Sequence, residues 1–135
     1  MAGCRKATDS QIRRLVLVVD DDSRVRESLA DLLSASGIEA RCFSSAQALL
    51  ESGALVDSQC VITDVRMPGI DGWELQERVA AISPHVLMVF ISAFKDQQAA
   101  ERAFALGAFA FLYKPFDGEE LLGLVEAALS QAADS

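Results

Sequence analysis

Five short apolar segments recur along this chain at nearly even spacing, and no other feature constrains its fold as strongly. The segments are Leu15–Val19, Ile38–Phe43, Cys60–Thr63, Val86–Ile91 and Ala108–Tyr113, so their first residues lie 22 to 26 positions apart. The first and fourth are continuous runs rich in Val, Leu and Ile, which is typical of strands buried on both faces of a sheet. The second mixes apolar with charged residues, which favours a sheet edge.

Apolar residues at helical spacing fill the intervals between these segments. In the first interval Val25, Leu29 and Leu33 recur at i, i+4 and i+8, and Gly37 is placed to end the helix. Two further helix starts are marked by a capping residue with a Glu or Gln three positions later, Ser44 with Gln47 and Asp117 with Glu120. Alternating strands and helices predict parallel strands joined by right-handed crossovers. We therefore predict an α/β fold in which helices cover both faces of a doubly wound, five-stranded parallel sheet.

Length and charge limit the classes of function. The chain has 135 residues, enough for one domain, which we expect at 14–133 after an N-terminal tail at 1–13. It carries 12 basic and 20 acidic side chains, a net charge of −8, and an acidic body without a basic face is a poor binder of nucleic acid. The longest apolar runs have six residues, far short of a membrane span, and we expect a cytoplasmic protein.

Histidine and cysteine usage excludes several kinds of site. A single histidine excludes a multi-histidine metal centre, and three cysteines without a Cys-x-x-Cys spacing give neither a disulfide framework nor a zinc site. We expect Cys42 and Cys60 to be small core residues.

Polar side chains stand at the predicted carboxyl ends of four strands. Asp20 and Asp21 follow the first, Asp64 the third, Ser92 the fourth and Lys114 the fifth. In such sheets, ligands bind beyond the carboxyl ends of the strands, so these groups converge on one edge. Carboxylates gathered there repel one another unless a cation joins them, and oxygen ligands without histidine or cysteine favour Mg²⁺.

A magnesium ion beside a lysine and a hydroxyl is suited to holding a phosphoryl group. The sequence has no GxxxxGK[ST] and no GxGxxG loop, so the usual cradle for a nucleotide is missing. The phosphoryl group would then rest on a protein atom, and a carboxylate can act as that nucleophile.

Four motifs together resemble the receiver domain of response regulators, of the chemotaxis-regulator type, in two-component signalling. They are VVDDD (18–22), ITDVRMPGIDG (62–72), ISA (91–93) and FLYKPF (111–116). Each is weak alone, but the four in register are specific, and the resemblance covers roughly Leu15 to Ala133. It implies a flavodoxin-like fold with strand order 2-1-3-4-5.

The resemblance also implies the roles of the acidic residues. Asp64 is the phosphoacceptor. Asp20, Asp21 and Asp64 bind Mg²⁺ (or Mn²⁺) together with the backbone carbonyl of Arg66, Asp21 directly and Asp20 through water. Asp22 is expected to cap the first helix instead of binding the ion.

The remaining implied residues act on the phosphoryl group or respond to it. Lys114 and Ser92 bind phosphoryl oxygens, and Phe111 is the switch aromatic. Arg66 and Phe94 tune the loss of the phosphoryl group. The Lys114–Pro115 bond is expected to be cis. The alternation of Phe109, Phe111 and Tyr113 places these three rings on one face of the last strand.

The function implied is that of a signalling switch, not an enzyme acting on a separate substrate. A sensor histidine kinase donates the phosphoryl group, and the face formed by helix 4, strand 5 and helix 5 then changes to control an output or partner. We expect either a stand-alone receiver or part of a longer regulator with an effector domain, and phosphorylation-dependent homodimerisation is open.

Two alternatives remain. One is a receiver-like binding module that works without phosphorylation. The other is a haloacid-dehalogenase-type phosphatase, whose motif Asp20 to Ser23 superficially fits but whose late acidic residues have no counterpart here.

Overall fold

The computed structural model describes residues 14–93 and 97–134. Strands and helices alternate as the sequence predicts, with one short 3₁₀ helix at Ala54–Asp57. The strands are β1 (Leu15–Val19), β2 (Glu39–Phe43), β3 (Cys60–Asp64), β4 (Leu87–Ser92) and β5 (Ala110–Tyr113). The helices are α1 (Ser23–Ala35), α2 (Ala46–Ser52), α3 (Gly72–Ile82), α4 (Gln97–Ala105) and α5 (Gly118–Asp134). The predicted tail at 1–13 lies outside the described residues, so the boundary at 14 stays a prediction.

The five strands form one parallel sheet in the order β2-β1-β3-β4-β5. This confirms the predicted fold and strand order. The interior strands β1 and β3 are buried throughout, whereas β2 at the edge is exposed at three of its five positions. Parallel pairing brings the carboxyl ends of β1, β3, β4 and β5 to one edge of the sheet.

Two apolar layers cover the sheet. One face packs against α2, α3 and α4 through residues that include Leu49, Leu75 and Ala103. The other packs against α1 and α5 through residues that include Leu33 and Val125. The alternation of side chains along each strand therefore supplies both layers, as a doubly wound sheet requires. Of the described helices, none combines the length and the apolar character that a membrane span needs.

Three local predictions need correction. The cap of α2 is Ser45, not Ser44: its hydroxyl accepts the Ala48 N–H at 3.1 Å, because α2 begins at the buried Ala46. Cys42 is exposed because it lies on the edge strand β2, whereas Cys60 is buried as expected. Phe109 precedes β5 and packs with the α1/α5 layer, whereas Phe111 packs with the opposite layer.

Candidate functional site

Lys114 bridges two carboxylates at the carboxyl edge of the sheet. Its ammonium Nζ lies 2.9 Å from Oδ2 of Asp20 and 3.0 Å from Oδ2 of Asp64. Its backbone N–H donates to the Ser92 carbonyl at 2.7 Å, which extends the β4–β5 pairing beyond the last residue of β5. The Lys114–Pro115 bond that follows is cis, as the sequence predicts. The ends of β1, β3, β4 and β5 therefore meet around one cation.

Asp64 presents both carboxylate oxygens to donors. Oδ2 accepts from Lys114, and Oδ1 accepts the backbone N–H of Arg66 at 3.1 Å. The residue is 7% exposed, so its carboxylate is nearly buried but lies within reach of the surface. These contacts fix the side chain at the end of β3 without enclosing it.

Asp20 is more deeply buried than Asp64. It is fully inaccessible to solvent, and its Oδ1 accepts the Asp22 N–H at 2.9 Å while Oδ2 accepts from Lys114. Burial raises the pKa of Asp20 above its usual range, and the hydrogen bonds from Asp22 and Lys114 only partly offset this effect. The ionised carboxylate is therefore less stable in the fold than in water.

The pKa of Lys114 responds to two opposed effects. Burial lowers the pKa of the ammonium, but its hydrogen bonds to Asp20 and Asp64 outweigh burial and leave the pKa raised. Lys114 therefore stays charged at neutral pH and neutralises part of the negative charge at the sheet edge.

Three carboxylates are close enough to share a metal ion. One oxygen each from Asp20, Asp21 and Asp64 lies within 4.8 Å of the others. Asp21 is exposed, whereas both oxygens of Asp20 already accept hydrogen bonds. A set made only of carboxylate oxygens suits a hard divalent cation, so the donor chemistry fits Mg²⁺ or Mn²⁺.

We expect Asp20→Asn to stabilise the fold by about 1 kcal/mol at pH 7 in EDTA, because it removes a buried charge that the site compensates only in part. A carboxyl group with a raised folded pKa favours the fold below its unfolded pKa of 3.8, and this contribution is lost as the pH rises through the folded pKa. The advantage of the variant should therefore shrink towards zero as the pH falls to 3.8, where the native carboxyl is also neutral. Urea unfolding at several pH values measures this difference. A variant less stable than the parent at pH 7 would contradict the expectation.

The remaining predicted residues are placed as follows. Ser92 ends β4 and is 2% exposed. Phe111 is half-buried on β5, where its ring lies 5.1 Å from that of Tyr113 in an edge-to-face arrangement. Asp22 caps α1 by accepting the Arg24 N–H at 2.9 Å, as expected. Phe94 lies outside the described residues.

Two residues that shape the site are missing from the sequence analysis. Arg26 on α1 donates from Nη1 to the Asp20 carbonyl at 2.6 Å and so supports the loop after β1. Gly72 opens α3 against β3, where an added Cβ would lie 2.7 Å from the Asp64 carbonyl. The quoted motif ITDVRMPGIDG ends at Gly72, but a motif does not reveal the close backbone contact that excludes a side chain there.

A comparison with known families matches residues 16–126 to the response regulator receiver domain. The chain belongs to this family. The match covers nearly all the residues that the structure describes. The haloacid-dehalogenase alternative has no support.

Curated relatives place the receiver domain among longer regulators. The chain is 43% identical over 119 residues to the transcriptional regulatory protein FixJ of Azorhizobium caulinodans. The aligned segment covers 88% of this chain and 56% of that protein. It is 38% identical to the response regulator protein TmoT of Ectopseudomonas mendocina, over 87% of this chain and 54% of the relative. The chain thus spans about half the length of the curated relatives it matches.

Solved structures agree with this placement. The response regulator StyR superposes with a TM-score of 0.81 at 42% identity, covering 89% of this chain and 61% of that one. The crystal structure of FixJ-N superposes with a TM-score of 0.76 at 30% identity, covering 86% of this chain and 93% of that one.

Proposed function

We propose that this receiver domain accepts a phosphoryl group on Asp64 from a phosphohistidine of a sensor kinase. The observation that carries the proposal is the Asp64 carboxylate, held by Lys114 and the Arg66 N–H beside two further carboxylates. Such a group is oriented, nearly desolvated and close to a cation, as a carboxylate nucleophile requires.

The transfer is an in-line displacement at phosphorus. One Asp64 carboxylate oxygen forms the new O–P bond as the N–P bond of the phosphohistidine breaks, and the electron pair of that bond stays on the imidazole nitrogen. The product on Asp64 is an acyl phosphate. No other co-reactant is needed, since the phosphoryl group moves from one protein side chain to another.

The residues around Asp64 then have separate tasks. Lys114 holds the carboxylate before transfer and binds a phosphoryl oxygen afterwards, while Ser92 offers its hydroxyl to another oxygen. Asp20, Asp21, Asp64 and the backbone carbonyl of Arg66 would hold Mg²⁺ or Mn²⁺, Asp21 directly and Asp20 through water. The bound ion would supply positive charge that offsets the charge developing on the phosphoryl oxygens.

The change at Asp64 is expected to reach the face formed by α4, β5 and α5. Ser92 ends β4 and Phe111 lies on the neighbouring strand, paired in register with Phe90. Movement of Ser92 towards the phosphoryl group shifts the segment after β4 and frees space into which the Phe111 ring turns. This is a two-state switch biased by a local charge change. Arg66 and Phe94 follow the phosphoacceptor and Ser92 by two positions, where we propose that they tune loss of the phosphoryl group.

The output of the switch is proposed from the relatives. FixJ of Azorhizobium caulinodans is named a transcriptional regulatory protein, and the match covers 56% of its length. We infer that this receiver domain works together with an effector domain, which it controls directly or through a phosphorylation-dependent homodimer. The acidic chain, with a net charge of −8, would not itself bind the nucleic acid.

Incubation with acetyl phosphate and Mg²⁺ tests the proposal and separates it from a phosphorylation-independent binding module. We expect mass spectrometry to show one added phosphoryl group at Asp64, labile to alkali as acyl phosphates are, and no addition when EDTA replaces Mg²⁺. Equal addition in EDTA would contradict the metal requirement, and no addition in either buffer would favour the binding module.

A further inference from the structure

Two grooves lie beside Trp73 of α3 and Arg102 of α4. The first, of about 480 Å³, lies between the start of α3 and α4, and the second, of about 570 Å³, runs along α3; both are lined by Asp71, Trp73 and Arg102. The direct side-chain links described here between the two helices come from one face of α3. They are made by Trp73 and Gln76, which are three positions apart and therefore neighbours on the helix surface.

The anchoring of α4 on the sheet is weak. Of its described side chains only Ala99 and Ala103 are buried, and each contributes little apolar area. The larger Phe104 is 53% exposed. An element held by so little buried surface is displaced at small cost, so contacts from α3 have a large influence on its position.

Gln76 binds the carboxyl end of α4. It is 5% exposed, and its Nε2 donates to the Leu106 carbonyl at 2.7 Å. Gly107, at φ +96°, ends the helix, and the Ala108 N–H returns to the Ala103 carbonyl at 2.9 Å. The Leu106 carbonyl, just beyond the last turn of α4, thus accepts a hydrogen bond from a side chain of α3.

The other half of the Gln76 amide is unsatisfied. Its Oε1 is buried and has no hydrogen-bond partner among the described residues. An amide oxygen buried without a protein partner loses part of its hydration, and this cost offsets stability gained from the Nε2 hydrogen bond. The net contribution of Gln76 to stability is therefore small, whereas its donor reaches the end of α4.

Trp73 makes the second link. Its ring lies 5.2 Å from the buried ring of Phe90 on β4, and the Arg102 guanidinium of α4 lies 4.8 Å from the Trp73 ring centroid. Trp73 is thus supported by the sheet on one side and attracts a cation of α4 on the other.

We propose that Gln76 and Trp73 are positioning residues that hold α4 in the place it takes while Asp64 is unmodified. This inference rests on the proposed function, in which α4 moves after phosphorylation. Removing either contact shifts α4 towards the position that it adopts when Asp64 carries the phosphoryl group. The apparent affinity for a phosphoryl mimic then rises, because that affinity scales with the fraction of molecules in the competent position.

The variant Gln76→Met tests the proposal, since it keeps the length of the side chain and removes the donor. We expect beryllofluoride, in the presence of Mg²⁺, to half-saturate the full chain at a concentration about fivefold lower, the effect of losing one hydrogen bond. The ¹⁹F resonance of bound beryllofluoride reports saturation. The free energy of unfolding in urea should stay level or rise, because the unsatisfied Oε1 is also removed.

Two further variants control for folding and for the chemical change. Gln47→Met makes the same replacement on α2, where Gln47 bonds only its helix neighbour Glu51 among the contacts described, and should leave both measurements unchanged. Arg102→Gln removes the cation above Trp73 from an exposed position and should lower the half-saturating concentration about twofold. If Gln76→Met has a lower free energy of unfolding and an unchanged affinity for beryllofluoride, Gln76 has only a structural role. If the affinity of the variant is weaker, Gln76 favours the position that α4 takes with the phosphoryl group, which contradicts the proposal.

Hydrogen exchange separates failure of this inference from failure of the proposed function. In the absence of any ligand, the amides of Leu106 to Ala108 should exchange faster in Gln76→Met than in the parent chain. If the parent chain binds no beryllofluoride, the phosphoacceptor proposal fails. Faster exchange in the variant would still support the link to α4, and equal exchange would overturn it.

Discussion

Replacing Asp64 with Asn is expected to abolish phosphoryl incorporation from acetyl phosphate and from a sensor kinase. The amide cannot form the acyl phosphate that a carboxylate forms. Asp20 is fully buried with both oxygens engaged, and Asp64 is the carboxylate that both Lys114 and the Arg66 N–H orient. Incorporation should therefore fall below detection.

Asp57→Asn provides a matched control for this experiment. Asp57 is exposed at the end of the 3₁₀ helix that precedes β3, so it lies at the opposite edge of the sheet from Asp64. The control should incorporate phosphate at the parent rate. Asp64→Asn should remain folded, because Asn can still accept the Arg66 N–H and Lys114 keeps its bond to Asp20. Alkali-labile phosphate at parent levels in Asp64→Asn would overturn the assignment of the phosphoacceptor.

The fold was predictable because the strand segments are short, four of the five are predominantly apolar, and apolar residues at helical spacing fill the intervals between them. The convergence of Asp20, Asp64 and Lys114 follows from the same pattern, since parallel strands bring their carboxyl ends to one edge. The distances confirm that convergence: Lys114 lies within 3.0 Å of an oxygen of each aspartate.

The division of labour between neighbouring aspartates depends on packing that the sequence does not display. Asp20 is inaccessible to solvent and Asp21 is exposed, although the two are adjacent and chemically identical. Asp20 differs because its side chain accepts the Asp22 N–H and a hydrogen bond from Lys114, which lies 94 positions away.

Contacts between helices were the least predictable. Gln76 looks like an ordinary polar residue of an amphipathic helix, and its partner Leu106 is 30 positions away. A polar residue buried between two helices has no periodic signature. The exposure of the Cys42 side chain was similarly hidden, because the sequence predicts an edge strand but does not show which of its side chains the helices cover.

Lys114→Met is expected to lower the free energy of unfolding by about 3 kcal/mol at pH 7 in EDTA, because it leaves Asp20 buried without its cation. The folded pKa of Lys114 is raised, so its stabilising contribution is fully present below the unfolded pKa of 10.5 and is lost only as the pH rises through the folded pKa. At pH 7 the parent therefore has the full contribution. The deficit of the variant should shrink in acid, where Asp20 takes up a proton. Urea unfolding across this pH range measures it.

Arg78→Met separates burial from ion pairing as the cause of this loss. The Arg78–Glu74 pair is closer, at 2.7 Å, than the 2.9 Å pair of Lys114 and Asp20. Its side chains are 48% and 47% exposed, however, against 19% and 0%. Water and salt screen an exposed pair, so Arg78→Met should change stability by only about 0.5 kcal/mol. Equal losses in the two variants would contradict the role of burial.

Mg²⁺ should add more stability to Lys114→Met than to the parent. The carboxylates that Lys114 no longer neutralises attract the metal ion more strongly.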